Sequence, residues 1–442
     1  MKNQRILTIL IKVLIVGFVS ILLLLPLHAF LSTWGGTAVG PLLAWKSWKE
    51  ILLLGLGIIA GIYCIARPDV LKTLWDRWIN RVVLFYAIFI VVYALTSNAS
   101  SEAAVAGLLM NLRFLAMFLL AQLIVASNDS WVQKLKTWGS PWLLTTAIVI
   151  SVLAILQVSV LPNDFLAKFG YDSLKTIPPY LLVDDNPDTP RAFATLRGPN
   201  ELGSYLILVL TLAAALVVKQ RRNLLAGAAL GLGFVALFLS HSRSAWLGTT
   251  VALSVLAVLS FRKEQLVKLV KWGSIPAIVV GAMLLWLTTT VPSVRLAIFH
   301  SSPGDPSLLE GSSAQHWHST AAGAVDALQH PFGQGVGVAG PASYYNTNDS
   351  PKIAENYFVQ IAQEIGIAGL GLFIAINVAL AVALWRQPQE LWPRLLIASF
   401  AGLTFINMFL HTWVDDPTAM TWWAVVGLWA FSPQPLRSSK KM

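Results

Sequence analysis

The chain has 442 residues, of which 56% are apolar and only 12% charged, with a formal net charge of +10 and a mean hydropathy of +0.68. A soluble domain carries about 25% charged residues, so this composition excludes a water-soluble globular protein. The single cysteine, Cys64, lies inside an apolar run and excludes a disulfide framework or a cysteine-based metal site.

The first apolar stretch, Ile6 to Phe30, is too long for a signal-peptide core and lacks a small-x-small cleavage site. It reads as a first membrane span, over 7–30. Further runs near the length needed to cross the hydrocarbon core follow at 51–66, 82–96, 103–126, 141–161, 200–218, 224–240, 244–261, 273–292, 356–384, 395–414 and 417–432. The predicted fold class is therefore an all-α polytopic membrane protein with about twelve transmembrane helices. Residues 1–161 hold spans one to five, 162–199 a first long external loop and 200–292 spans six to nine. Residues 293–355 form a larger external loop, and 356–442 hold the last three spans and a basic tail. Neither loop shows strand-like alternation; the second contains an amphipathic helix over Ser313 to Gln329.

With both termini placed in the cytoplasm, the cytoplasmic segments hold 21 of the 31 basic residues and five acids. The external segments hold nine basic residues and fifteen acids. Basic clusters on one side are what the positive-inside rule requires. The excess positive charge is thus an orientation signal, and a nucleic-acid partner is not needed to explain it.

Four polar segments fall on the external side. In Arg191-Ala-Phe-Ala-Thr-Leu-Arg197-Gly-Pro199-Asn200, Asn200 is an N-cap for the sixth span. A helix start beside two arginines suits an anionic group such as phosphate, although pairing of Arg191 and Arg197 with Asp184, Asp185 and Asp188 also explains them. Ser240-His241-Ser242-Arg243-Ser244 forms a tight hairpin between spans seven and eight. Arg243 there opposes the orientation bias, and membrane-edge charge is functional by default. The large loop carries His316-Trp317-His318 and His330-Pro331-Phe332-Gly-Gln-Gly335-Val-Gly337, whose glycines suit tight turns or close approach of a ligand. His316 and His318, two apart, are a poor metal pair. Glu355-Asn356-Tyr357 opens the tenth span, in which Glu364 is a buried carboxyl with Arg113 of the fourth span as a conceivable partner.

These segments together resemble the O-antigen ligase and O-antigen polymerase superfamily of bacterial envelope glycosyltransferases. Arg191 stands ahead of Pro199-Asn200 as an arginine does in that family, and Ser242-Arg243-Ser244 matches its Ser-Arg-Ser/Gly. Trp317 and the Pro331 to Gly337 turn resemble its loop motif, and Asn356, Gly366 and Gly369 keep the ligase spacing. Glu355 stands where the ligases have histidine, and the arginine that often precedes the loop tryptophan is absent.

The resemblance implies a GT-C-like architecture in the bacterial inner membrane. It implies transfer or polymerisation of a glycan from a polyprenyl-diphosphate donor at the periplasmic face. The hydroxyl acceptor is lipid A core, a glycan repeat, a protein or a cell-wall polymer, and no metal or other cofactor is invoked. Arg191 and Arg243 are the expected catalytic cations for the leaving diphosphate, and Glu355 the expected base. Arg197, Asn200, His316, Trp317, His318, Gly335, Gly337 and Asn356 are the expected substrate contacts, alongside membrane lipids. A transporter or flippase of lipid-linked sugars and a non-catalytic scaffold are the competing classes. A transporter needs polar residues deep in several spans, and the sequence offers chiefly Arg113 and Glu364 there.

Overall fold

The computed structural model describes residues 2–127, 130–183, 186–220, 222–291, 312–386 and 391–429. Asp184, Asp185, the loop residues 293–311 and the tail 430–442 lie outside them. Helix α1 (Lys2–Leu24) passes through a 3₁₀ turn at Leu25–Leu27, which contains Pro26, into α2 (His28–Ala38). A short α3 (Leu42–Lys46) leads to α4 (Trp48–Ala66), α5 (Pro68–Asp76), α6 (Trp78–Leu95), α7 (Ser101–Ala126) and α8 (Trp131–Ser159). Strands β1 (Leu182–Val183) and β2 (Asn186–Pro190) pair antiparallel. Then follow α9 (Pro199–Lys219), α10 (Leu224–Leu239), α11 (Arg243–Ser260), α12 (Lys263–Thr290), α13 (Ser312–Gln329), α14 (Tyr357–Trp385), α15 (Leu391–Ile406) and α16 (Asp416–Trp429).

A helix lies on each of the twelve apolar runs, and the first continues to Ala38, beyond its predicted end. Among the described residues, eight helices are long and apolar enough to cross a membrane. The small β1–β2 ribbon departs from the expectation of a strand-free first loop. Its pairing is too short, and too interrupted by Pro187 and Pro190, to leave an alternating pattern in the sequence.

Helices α9 and α16 are buried on nearly all sides, and α7 packs against α16. Helix α4 instead leaves Ile51, Leu54, Ile58, Ile62 and Ile65 exposed at helical spacing. An outward apolar stripe of that kind faces lipid in a membrane protein. Small residues set the closest crossing: a Cβ at Gly402 of α15 would come within 2.4 Å of the Gly248 carbonyl of α11. Backbones approach this closely in membrane bundles only through such residues.

The tenth predicted span, 356–384, is not one straight helix. Ile365 and Gly366 leave helical geometry, with Gly366 at φ 73°. Residues sixteen apart in a straight helix stand about 24 Å apart. Yet the Tyr357 and Phe373 rings lie 5.5 Å apart, so the first two turns fold back against the rest. The turn Pro331–Gly337 fills the break: Gly335 N–H donates to Glu364 O at 2.9 Å, and Ile367 N–H to Pro331 O at 2.9 Å. Irregular backbone survives at membrane depth only where protein or a wet cavity satisfies it. Helices α15 and α16, of 16 and 14 residues, are each shorter than the roughly 30 Å hydrocarbon core.

Candidate active site

Four of the polar segments converge at one end of the bundle. Arg191 is drawn to the α10–α11 hairpin, where its Nε donates to Ser240 O at 3.1 Å, and Ala192 N–H donates to Leu239 O at 2.9 Å. Its Nη2 donates to Asn200 Oδ1 at 3.3 Å. Asn200 is therefore not the N-cap of α9. Gly198 takes that place with Pro199 at the first helical position, a residue with no N–H to satisfy, and the Asn200 amide orients Arg191 instead.

Arg243 opens α11, three residues after the carbonyl that Arg191 contacts. Its charge bears on His316 of α13, and the His316 Nδ1 lies against the Glu355 carboxylate. Burial first, and Arg243 second, hold the His316 imidazole below its ordinary value. With its proton on Nδ1, a neutral His316 ring would be the donor and the Glu355 carboxylate the acceptor of this contact. Asn356, the next residue, caps α14 by accepting from Phe358 N–H and Val359 N–H at 3.0 and 3.1 Å, while its amide donates to Met408 O.

Backbone strain marks the same segments. Ala194, His241 and Glu355 are the three non-glycine residues at positive φ among those described, at 52°, 52° and 50°. Such conformations cost about 1–3 kcal/mol each and persist where the surroundings over-determine them, commonly at functional sites.

Beside this cluster opens a cavity of about 870 Å³, whose wall includes Arg197, Asn200, Lys46, Glu102, Glu201 and Tyr345. Neither the Lys46 nor the Arg197 side chain makes a hydrogen bond or ion pair among the described residues. Partial burial first, and Arg197 second, hold the Lys46 ammonium below its usual value. The cavity floor is a buried charge network. Arg113 pairs with Asp416 and, at 3.1 Å, with Glu50; Lys49 pairs with Glu50 at 3.0 Å and Asp416 at 3.1 Å. His28 Nε2 stands 3.2 Å from Asp416.

Arg113 thus does not pair with Glu364. The Glu364 carboxylate accepts from Gly337 N–H at 2.8 Å, Asn111 Nδ2 at 3.1 Å and Gln360 Nε2 at 3.4 Å. This is how a carboxyl is tolerated at the helix break. Gly335 and Gly337 are engaged in the same joint: a Cβ on either would come within 2.5 Å of Ser97 or Ala103 backbone atoms. Trp317 and His318 point outward and are exposed, away from the cavity wall.

Lys49, Glu50, His28 and Asp416 are the residues that sequence reasoning missed. Each sits within a residue or two of an apolar-run boundary, where a charge reads as a solvated flank. No curated protein is significantly similar to the chain. Residues 228–374, which contain Arg243, His316 and Glu355, match the family model described as O-antigen ligase. That match makes this stretch of the chain similar to the O-antigen ligase family and supports an assignment to the O-antigen ligase and polymerase superfamily.

Proposed function

We propose that the protein is a twelve-span inner-membrane glycosyltransferase that moves a glycan from a polyprenyl-diphosphate donor to a hydroxyl acceptor at the periplasmic face. The observation that carries this reading is the meeting of Arg191, Arg243, His316 and Glu355 from four separate segments at one end of the bundle. In the reaction the acceptor oxygen attacks the anomeric carbon and the bond from that carbon to the diphosphate oxygen breaks. The electron pair leaves on the polyprenyl diphosphate. Arg191 and Arg243 stabilise the charge that builds there, a role suited to preorganised guanidinium groups. Glu355 takes the acceptor proton, with His316 holding its carboxylate. Arg197, Lys46 and Asn200, on the cavity wall, contact the sugar portions.

The buried network softens the sequence argument against a transporter, since ionised groups are buried on α4, α7 and α16. Those groups are paired with one another, however, whereas a transport path needs them available to a cargo. Reconstitution with a labelled lipid-linked glycan separates the classes. A transferase releases polyprenyl diphosphate and lengthens the acceptor; a transporter moves intact donor; a scaffold does neither. Glu355→Gln lowers turnover while donor binding persists, and an unchanged rate removes Glu355 from the role of base.

A further inference from the structure

Helix α13 lies in the large external loop, and its surface does not fit a fully water-exposed setting. Its inner face is fully engaged. Thr320 Oγ1 donates to Ala354 O at 2.7 Å, and Gly323 packs against Ala354 and Val359. The Asp326 carboxylate accepts from Gln363 and Gln334, both at 2.8 Å. Apart from Gln334, which belongs to the Pro331–Gly337 turn filling the break, these partners lie in, or just before, the folded-back first turns of α14. Helix α13 therefore runs beside the turned-aside segment and not along the spanning one.

The outer face carries Trp317, Val325 and Leu328, exposed by 71%, 53% and 71%. At 100° per residue these three fall within a sector of about 80°, shared only with Ala314 and Ala321. No lysine or arginine occurs in α13, and its one acid is the inward Asp326. Just beyond the helix, Phe332 is 83% exposed. Its backbone touches Gly366, and the preceding Pro331 carbonyl accepts from Ile367 N–H. Ile367 begins the outward apolar stripe of α14, continued by Ile374, Val378 and Val382. The outer face of α13 is thus continuous with a lipid-facing surface.

We infer that α13 is an interfacial helix whose Trp317–Val325–Leu328 face, together with Phe332, is seated in the hydrocarbon of the outer leaflet. Interfacial helices bury Trp and Leu in this way, and their polar side ordinarily faces water. Here Thr320 and Asp326 of that side are bonded to protein, and the exposed His318 and Gln329 at its edge supply the polar flank. The seating sets His316 and Glu355 at the lipid boundary, where a lipid-linked substrate is presented. It depends on α14 crossing the bilayer and is independent of the chemistry proposed above.

The test uses the full chain in lipid nanodiscs, with Cys64→Ala and single spin-labelled cysteines. Val325→Cys, Leu328→Cys and Phe332→Cys are compared with Ile374→Cys as the lipid reference and Asn348→Cys as the water reference. The expected result is oxygen accessibility several-fold above that of a water-soluble nickel relaxant at the three α13 positions, matching position 374. A ratio like that of position 348 overturns the inference in favour of a water-exposed helix. Immobilised labels shielded from both relaxants overturn it in favour of a protein partner. Trp317→Cys provides a second reading if one variant fails to fold.

Discussion

Two charged clusters sit at the same end of the bundle and follow opposite rules. The first joins Arg191, Arg243, His316 and Glu355; His316 and Glu355 are each about one-third exposed, and three of the segments are strained, at Ala194, His241 and Glu355. The second joins His28, Lys49, Glu50, Arg113 and Asp416, with Lys49 and Arg113 almost wholly buried and each paired with two carboxylates. Groups that must meet a substrate keep open faces and accept backbone cost. Groups that hold a bundle together close on themselves. The difference divides the charged residues of this end into those expected to act on a ligand and those expected to carry the cavity floor.

The sharpest way to break that division is Asp416→Ala. It leaves Arg113 and Lys49 buried beside a single remaining carboxylate, Glu50, and loss of one partner from a buried pair costs about 3–5 kcal/mol. The expected outcome is loss of folded, monodisperse protein in detergent, read by size exclusion and thermal unfolding. The double change Arg113→Met with Asp416→Met recovers much of the stability, because it removes the stranded charge. If Asp416→Ala folds normally yet abolishes transfer, the floor belongs with the reacting groups and the division fails.

Arg243→Ala is the converse experiment. Removing one preorganised stabiliser of developing charge lowers turnover by about 10²–10³-fold, while truncating this partly buried side chain is expected to cost less, about 1 kcal/mol of stability. Arg243→Lys keeps the charge but not the bidentate geometry and should fall between. Transfer from a labelled donor and a melting curve on the same sample read both quantities. A stability loss equal to the activity loss would reassign Arg243 to the structural cluster.

Much of the first cluster was legible because its segments carry local signals: an arginine against the orientation bias, a Pro-Asn helix start, a helix-opening Glu-Asn. The helical runs were legible because apolar length is a one-dimensional property. The second cluster was not, since it assembles from α2, α4, α7 and α16, and pairing across four elements leaves no spacing in the chain. Glu364 shows the same limit. Its partners Asn111 and Gly337 lie 253 and 27 residues away, and they exist only because α14 breaks. The break itself had a trace in Gly366, but a glycine in an apolar run is equally compatible with a straight helix. Gly366→Ala tests it: at φ 73° a Cβ would meet Phe332 and Pro331 backbone atoms at 2.6 Å. A cost of about 1–3 kcal/mol, seen as a lower melting temperature, is expected; an unchanged one means the joint is not rigid.

The smallest effect expected is a shift in a titration, and it probes the link between the two halves of the first cluster. Burial first and the Arg243 charge second depress the His316 proton affinity. Protons then bind more weakly to the folded state than to the unfolded one. Any stability tied to the shift is complete above the ordinary histidine value of about 6.5 and is lost as pH falls through the lowered folded value. In labelled protein with seven histidines, His316→Gln identifies the resonance that reports this ring. Arg243→Ala removes one of the two causes and should move that midpoint upward, toward but not reaching the ordinary value, because burial remains. Arg243→Lys should leave it nearly in place, since a cation persists. A midpoint indifferent to both changes would mean that burial alone tunes His316. Arg243 would then not face the His316–Glu355 pair, and the leaving-group and proton-accepting sides of the proposed reaction would be separate sites.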